Sequence, residues 1–286
     1  MRTDARDIEY MREALELARK GEYSTSPNPA VGCVIVKDDE IIGRGFHHLA
    51  GENHAEVEAI RDAGERTKMA TAYVTLEPCS HKGRTGPCVE ALISAGISRV
   101  VYACGDPNPK VAGTGHRALC DAGIDVLSGV CEMEALELNQ GFIKRMAKGQ
   151  PYVRLKMAMS LDGAMALASG ESKWITGEAA RSDGQRLRAL SCGVMTGIGT
   201  VLADDPLLNV REKMLQMRGR EVTRIILDTH LRCPSSARLF TVSGKVLIFC
   251  GKSFELKRRN KLAGLAEIES VEEVSGAMDL ELVLDR

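Results

Sequence analysis

The chain opens on a helical rhythm and then changes period. Ile8, Met11, Leu15 and Ala18 recur at helical spacing, which puts one apolar stripe on a helix over 7–20 with Thr3 or Asp4 as its cap. Residues 30–37 are a β-branched run, Asp38-Asp39 supplies a tight turn and 41–46 turns apolar again, so the pattern predicts a hairpin. Helices and strands then alternate: helix 54–63, strand 72–76, helix 87–95, strand 99–104, helix 115–122, strand 124–127 and helix 132–146. Gly149 followed by Pro151 stops that last helix. A strand over 152–159 begins a second alternating series, with a helix over 178–190, that runs to the C-terminus. The expected organisation is two α/β domains, 1–148 and 152–286, as the length of 286 residues also favours.

Composition narrows the function classes. Hydrophobic residues at 44% and charged residues at 27% are those of a soluble globular enzyme. A formal net charge of −1 and only 4% aromatics argue against a nucleic-acid partner, which needs a basic surface and stacking side chains. Nine cysteines, scattered from Cys33 to Cys250, read as thiols of a reducing compartment. Residues 1–12 mix charges of both signs with no apolar core, and the longest uncharged run, 189–203, is shorter than a membrane span. The expected location is cytoplasmic, with no membrane partner.

The chemistry concentrates in one constellation. His54-Ala55-Glu56 opens a predicted helix, Pro78-Cys79 follows a predicted strand, and Cys88 stands in the first turn of the next predicted helix. One imidazole and two thiolates are a three-ligand zinc set, leaving the fourth tetrahedral position for water, as catalytic rather than structural zinc sites do. A histidine, a glutamate two residues later and a Pro-Cys pair are the signature of zinc deaminases, in which the glutamate shuttles protons and binds no metal. Glu56 takes that role: a structural zinc scaffold, one alternative, has no use for it. Eight residues separate Cys79 from Cys88, where the general signature has two. Lying between two ligands, the inserted loop lines the site mouth, and its His81, Lys82 and Arg84 suit a phosphate on the substrate.

These residues resemble the bifunctional deaminase-reductases of riboflavin biosynthesis. Pro27-Asn28-Pro29-Ala30-Val31-Gly32, His54-Ala55-Glu56 and Thr75-Leu76-Glu77-Pro78-Cys79-Ser80-His81 through Pro87-Cys88 carry the likeness, and the wide cysteine spacing separates it from cytidine, tRNA-adenosine and polynucleotide deaminases. The resemblance implies a cytidine-deaminase-like three-layer domain that hydrolyses a diaminohydroxy-pyrimidinone bearing a ribosylamino 5-phosphate, with Asn28 on the pyrimidine. It also implies a homo-oligomer. A deaminase of tRNA or single-stranded DNA is the other enzyme alternative; the charge and aromatic content weigh against it.

In the second half, Ser160-Leu161-Asp162-Gly163, the stretch from Gly170 to Thr176 and residues 200–211 resemble the same family's reductase half. That implies a dihydrofolate-reductase-like fold using NADPH to reduce the ribose to a ribityl chain. By position, Ala158, Trp174, Thr200 and Asp204 match cofactor contacts, and Ser172, Arg188, Leu208 and Arg211 match contacts to the phosphorylated substrate. Lys156 and Asp204 match polar groups near the reacting carbon. Arg188 and Arg211 suit a bidentate phosphate clamp, and Lys156 suits polarising the ribose oxygen as hydride arrives. Only the resemblance identifies a dinucleotide site, since no G-x-G-x-x-G follows a strand. The family's final strand and Gly-Gly-Pro-Thr phosphate loop are not found before Arg286, so the expectation is an incomplete reductase half with impaired cofactor binding.

Overall fold

In the computed structural model, which describes residues 4–81, 86–109, 111–274 and 276–286, the chain divides into two units, Met1–Tyr152 and Val153–Arg286. The first opens with α1 (Ala5–Arg19) and the expected hairpin of β1 (Gly32–Lys37) and β2 (Glu40–Phe46). Asp38 and Asp39 sit at φ 50° and 62°, the left-handed pair that a two-residue hairpin turn demands. β3 (Thr71–Leu76) pairs antiparallel with β1, and β4 (Arg99–Cys104) and β5 (Asp125–Ser128) continue the sheet in parallel, in the order β2-β1-β3-β4-β5.

Successive strand residues face opposite sides of a sheet, and here both sides are covered. Cys33, Ile35, Ala72, Val74 and Val100 pack against α2 (Ala55–Ala63), α3 (Cys88–Ser94) and α4 (Thr114–Asp121) through Ala59, Leu92 and Leu119. Val34, Val36, Tyr73 and Val101 face Met11 and Leu15 of α1 and Ala135 of α5 (Glu132–Leu138). Burying each such Val or Leu contributes about 1.5–3 kcal/mol. The result is a three-layer unit. A Cβ at Gly45 would fall 2.3 Å from the Ala55 carbonyl, so only glycine lets the first turn of α2 lie on β2. That close approach sets where His54 and Glu56 stand. On the other face, buried Asp7 accepts from Tyr73 Oη at 2.9 Å and from Arg99 at 2.8 and 3.0 Å, tying α1 to β3 and β4.

Two expectations are corrected. The helix over 132–146 is interrupted: Asn139, at φ −115° and ψ 26°, separates α5 from α6 (Gln140–Lys148). Its side chain turns into the protein to hydrogen-bond the backbone of Ala30, which overrides helical continuity. The strand over 152–159 does not form. Val153, Leu155, Met157 and Met159 do alternate with Arg154, Lys156, Ala158 and Ser160, but a strand needs a ladder partner and none of the described strands pairs with this segment. Its four apolar side chains are exposed.

The second unit contains α7 (Glu178–Ala189), β6 (Gly193–Gly197), α8 (Ile198–Asp204), β7 (Thr223–Leu227), β8 (Val246–Cys250), α9 (Leu256–Leu262) and β9 (Glu267–Ser270). The four strands form a parallel sheet in the order β6-β7-β8-β9, with Ile198, Val201, Ile226, Leu239, Ile248 and Leu262 in its core. A short ribbon, β10 (Glu273–Val274) and β11 (Ala277–Met278), and α10 (Leu280–Leu284) follow. Buried Arg224 donates to the carbonyls of Leu239, Val242, Ser243 and Gly244, fixing the loop before β8.

Candidate active site

Three element ends meet in the first unit. His54 is the N-cap of α2, Cys79 follows the end of β3, and Cys88 is the first residue of α3. One donor atom from each lies within 4.8 Å of the others, with His54 Nδ1 at 3.1 Å from Cys88 Sγ and 3.6 Å from Cys79 Sγ. Tetrahedral zinc, with bonds of about 2.0–2.3 Å, holds its ligand atoms about 3.5 Å apart, so the donor set fits that ion. The Cys88 N–H points at Cys79 Sγ from 3.4 Å, and the N-terminus of α3 favours negative charge on the sulfurs. Hydrogen bonding from Cys88 and His54 holds the Cys79 thiol well below its usual value, making it a ready thiolate.

Glu56, in the first turn of α2, is 4% exposed, and its carboxyl is in hydrogen-bonding contact with the Cys88 side chain. Burial pushes its carboxyl up, while His54 pulls it back. A carboxyl so placed exchanges protons more readily near neutral pH than an exposed one.

Asn28 is brought to this centre through a histidine that sequence reasoning missed. His47, just past β2, is buried; its Nδ1 lies 2.9 Å from the Asn53 carbonyl and its Nε2 3.1 Å from Asn28 Nδ2. Burial holds His47 below its usual pKa, and facing a carbonyl on one side and an amide nitrogen on the other, its ring pairs with Nδ1–H donating to Asn53 and Nε2 accepting from Asn28. Its ring meets that of His54 edge-on at 5.4 Å between centroids, which sets the Asn28–His47 pair beside the metal ligands. The signal in the sequence is a histidine directly after a strand that packs on the metal-binding helix.

Glu77 was missed as well, and Asp106, in the stretch Asp106-Pro107-Asn108-Pro109 that reads equally as a plain turn, was left out of the site. Glu77, buried two residues before Cys79, accepts from the backbone N–H groups of Gly113 and His116 at 3.1 Å each and of Asp106 at 3.4 Å. It thereby fastens the segment after β4 to the metal-binding loop, and Ser80 reinforces the join with a 2.6 Å hydrogen bond to Thr114. Burial pushes the Asp106 carboxyl up to about 6, with Glu77 and Cys79 adding to the effect and His81 opposing it. His81 therefore stands near Asp106, and its Nδ1 is buried without a hydrogen-bond partner among the described residues. Lys82 and Arg84 lie outside the described residues.

In the second unit the sequence-derived residues fall into two groups and a remainder. Arg188 on α7 donates to the Asn209 carbonyl at 3.2 Å, and Arg211 donates to Asn209 Oδ1 at 3.2 Å. Arg188 is held below its usual pKa by burial first and by the charge of Arg211 second, so the two guanidiniums converge. Leu208, buried at φ 52°, turns the chain between α8 and Arg211. The other group joins Asp204, at the end of α8, to Lys173 at 3.7 Å; the neighbouring Trp174 carries the Arg181 guanidinium 4.5 Å above its ring. Thr200 is in the first turn of α8, directly after β6, where the space beside Gly197 and Gly199 is open. Ser172 precedes Lys173, while Lys156 and Ala158 stand on the segment that forms no strand.

Comparison with known proteins agrees with this geometry. Residues 4–104 match the cytidine and deoxycytidylate deaminase zinc-binding region, and residues 151–286 match the RibD C-terminal domain. The riboflavin biosynthesis protein RibD of Escherichia coli is 54% identical over 248 residues, 84% of this chain and 68% of that protein. Its counterpart in Haemophilus influenzae is 49% identical, over 88% of this chain and 70% of its own length. Among solved structures, Acinetobacter baumannii RibD superposes with a TM-score of 0.88 at 52% identity, covering 98% of this chain and 76% of that one. The deaminase/reductase of Thermotoga maritima gives 0.80 at 36% identity, over 94% and 81%. With a buried glutamate beside three convergent zinc donors, and relatives of this closeness across both halves, the chain belongs to the RibD family of riboflavin biosynthesis proteins.

Proposed function

We propose that the chain performs the two successive reactions of riboflavin biosynthesis named for its relatives, with the deaminase in residues 1–148 and the reductase in 152–286. The observation that carries this reading is buried Glu56 beside the His54, Cys79 and Cys88 donors. The first reaction replaces the 2-amino group of 2,5-diamino-6-(5-phosphoribosylamino)pyrimidin-4-one with oxygen: water adds, ammonia leaves, and a uracil results. His54, Cys79 and Cys88 would hold zinc, which would supply the Lewis acidity that activates water near neutral pH. Glu56 accepts the proton that water gives up and returns it to the departing amine. Asn28, oriented by His47, hydrogen-bonds the pyrimidine. His81, Lys82 and Arg84 take the phosphate end.

In the second reaction NADPH would supply the hydride that reduces the ribose carbonyl form, and a proton would complete the alcohol, giving a ribityl chain. Ala158, Trp174, Thr200 and Asp204 would hold the cofactor; a helix start directly after a parallel strand, with open space at two glycines, suits a dinucleotide. Arg188 and Arg211 receive the substrate phosphate, Ser172 and Leu208 contribute further contacts to the same substrate, and Lys156 polarises the ribose oxygen. A homo-oligomer in the cytoplasm is the working state.

The test follows ammonia release and NADPH oxidation separately on one preparation. Zinc-dependent ammonia release from the phosphoribosylamino-pyrimidine is expected; ammonia release from oligonucleotides alone overturns the substrate assignment, and full deamination by Glu56→Gln overturns the proton shuttle.

A further inference from the structure

Asn139 takes no part in the chemistry above, yet it makes an unusually complete long-range contact with the active-site turn. Its Oδ1 accepts from the Ala30 N–H at 2.8 Å and its Nδ2 donates to the Ala30 carbonyl at 2.9 Å. This reproduces with one side chain the two-bond exchange of an antiparallel strand pair. Both residues are buried, so neither Ala30 group has water as a substitute partner. Ala30 is two residues beyond Asn28, in a turn whose prolines, Pro27 and Pro29, offer no N–H. Further restraints flank it: the Asn28 N–H donates to the Thr25 carbonyl at 2.9 Å, the His47 N–H donates to the Val31 carbonyl at 2.9 Å, and the His47 ring meets Asn28 Nδ2, but none of these holds the Ala30 groups. To make its contact Asn139 leaves helical geometry and divides 132–148 into two helices, a local loss of regularity of the kind that gathers at functional sites.

We infer that Asn139 is a positioning residue for deamination: it fixes the backbone of the 27–30 turn so that the Asn28 amide meets the pyrimidine. The inference rests on the reading of Asn28 as a substrate contact, and a double-mutant cycle separates the two. KM and kcat for ammonia release, with zinc content, are measured for Asn28→Ala, Asn139→Ala and the double variant. Loss of one substrate hydrogen bond raises KM about tenfold in each single variant, with kcat within about twofold and zinc retained. In the Asn28→Ala background, Asn139→Ala then adds less than about a further twofold, because its effect passes through Asn28. Asn139→Asp, which keeps the acceptor and loses the donor, gives an intermediate rise and carries the same cycle where the alanine variant is not recovered folded. Equal multiplication of KM in both backgrounds overturns the inference and leaves Asn28 in place, as does a fall in kcat and zinc content with KM unchanged. An unchanged KM in Asn28→Ala alone removes the Asn28 contact itself, and the inference with it.

Discussion

In the first unit each metal ligand is anchored at the end of a packed element: His54 at the start of α2, Cys88 at the start of α3, Cys79 just past β3, with helices on both faces of the sheet behind them. In the second, Arg188 and Asp204 are on helices, but Lys156, Ala158, Ser172 and Trp174 occupy 151–177, a stretch without helix or strand. The chemistry accounts for part of the contrast. A metal needs its donors within a few tenths of an ångström of set positions, and that demands rigid supports. A long phosphorylated substrate and a dinucleotide are instead gripped by several spaced contacts, each tolerant of a small displacement.

The largest effects separate the two activities outright. Stripping zinc with a chelator abolishes ammonia release and adding zinc restores it, while NADPH oxidation on pre-deaminated substrate is unchanged; parallel assays of both products check this. Glu56→Gln retains zinc, measured by metal analysis, and lowers deamination by about 10²–10⁴-fold, the range for loss of a general acid–base group. Loss of NADPH oxidation along with ammonia release in either experiment breaks the division of labour between the units.

How far the sequence foretells all this follows the same divide. The metal ligands are legible because their chemistry imposes spacing, and the hairpin because Asp38-Asp39 accepts a left-handed turn. The interruption at Asn139 is not, since Leu136, Ile143 and their neighbours keep helical spacing across it and the cause lies at Ala30, far away in the chain. His47 and Glu77 are hidden for a related reason: each works through backbone groups or side chains that only the fold brings near. At 152–159 the alternation is real, but pairing is a property of two segments and one segment cannot report it.

A smaller effect tests how firmly the first unit is tied. Asp7 is buried with Arg99 and Tyr73 as partners, and Asp7→Ala leaves the half-buried Arg99 charge with only the partly exposed Asp125, 3.5 Å away, at a cost of about 2 kcal/mol. Burial alone would raise the Asp7 carboxyl, but the hydrogen bonds from Arg99 and Tyr73 outweigh it and hold the group below its ordinary value. A carboxyl depressed in the folded state stabilises fully above its unfolded pKa, near 4 by the usual reference, and that contribution is lost as pH falls through the folded value. Denaturant unfolding of wild type and variant is therefore expected to differ most above about pH 5 and to converge in acid. A difference that grows on acidification contradicts the assignment.

The smallest expected effect bears on the second unit. Arg188 and Arg211 both direct hydrogen bonds at Asn209, and their mutual repulsion and the burial of Arg188 disfavour the charged state of Arg188. Two guanidiniums held together at such a cost are relieved by an anion between them, which returns a charge-assisted hydrogen bond to each. Arg211 is exposed, so Arg211→Ala removes one arm of the clamp without disturbing the core. The KM of the deaminated intermediate in the NADPH assay is expected to rise about tenfold, the equivalent of one charge-assisted hydrogen bond, with ammonia release unaffected. Raising the salt concentration narrows the gap between wild type and variant, because screening weakens the charge that only wild type presents. A gap that is indifferent to salt assigns the loss to packing and removes Arg211 from the phosphate site.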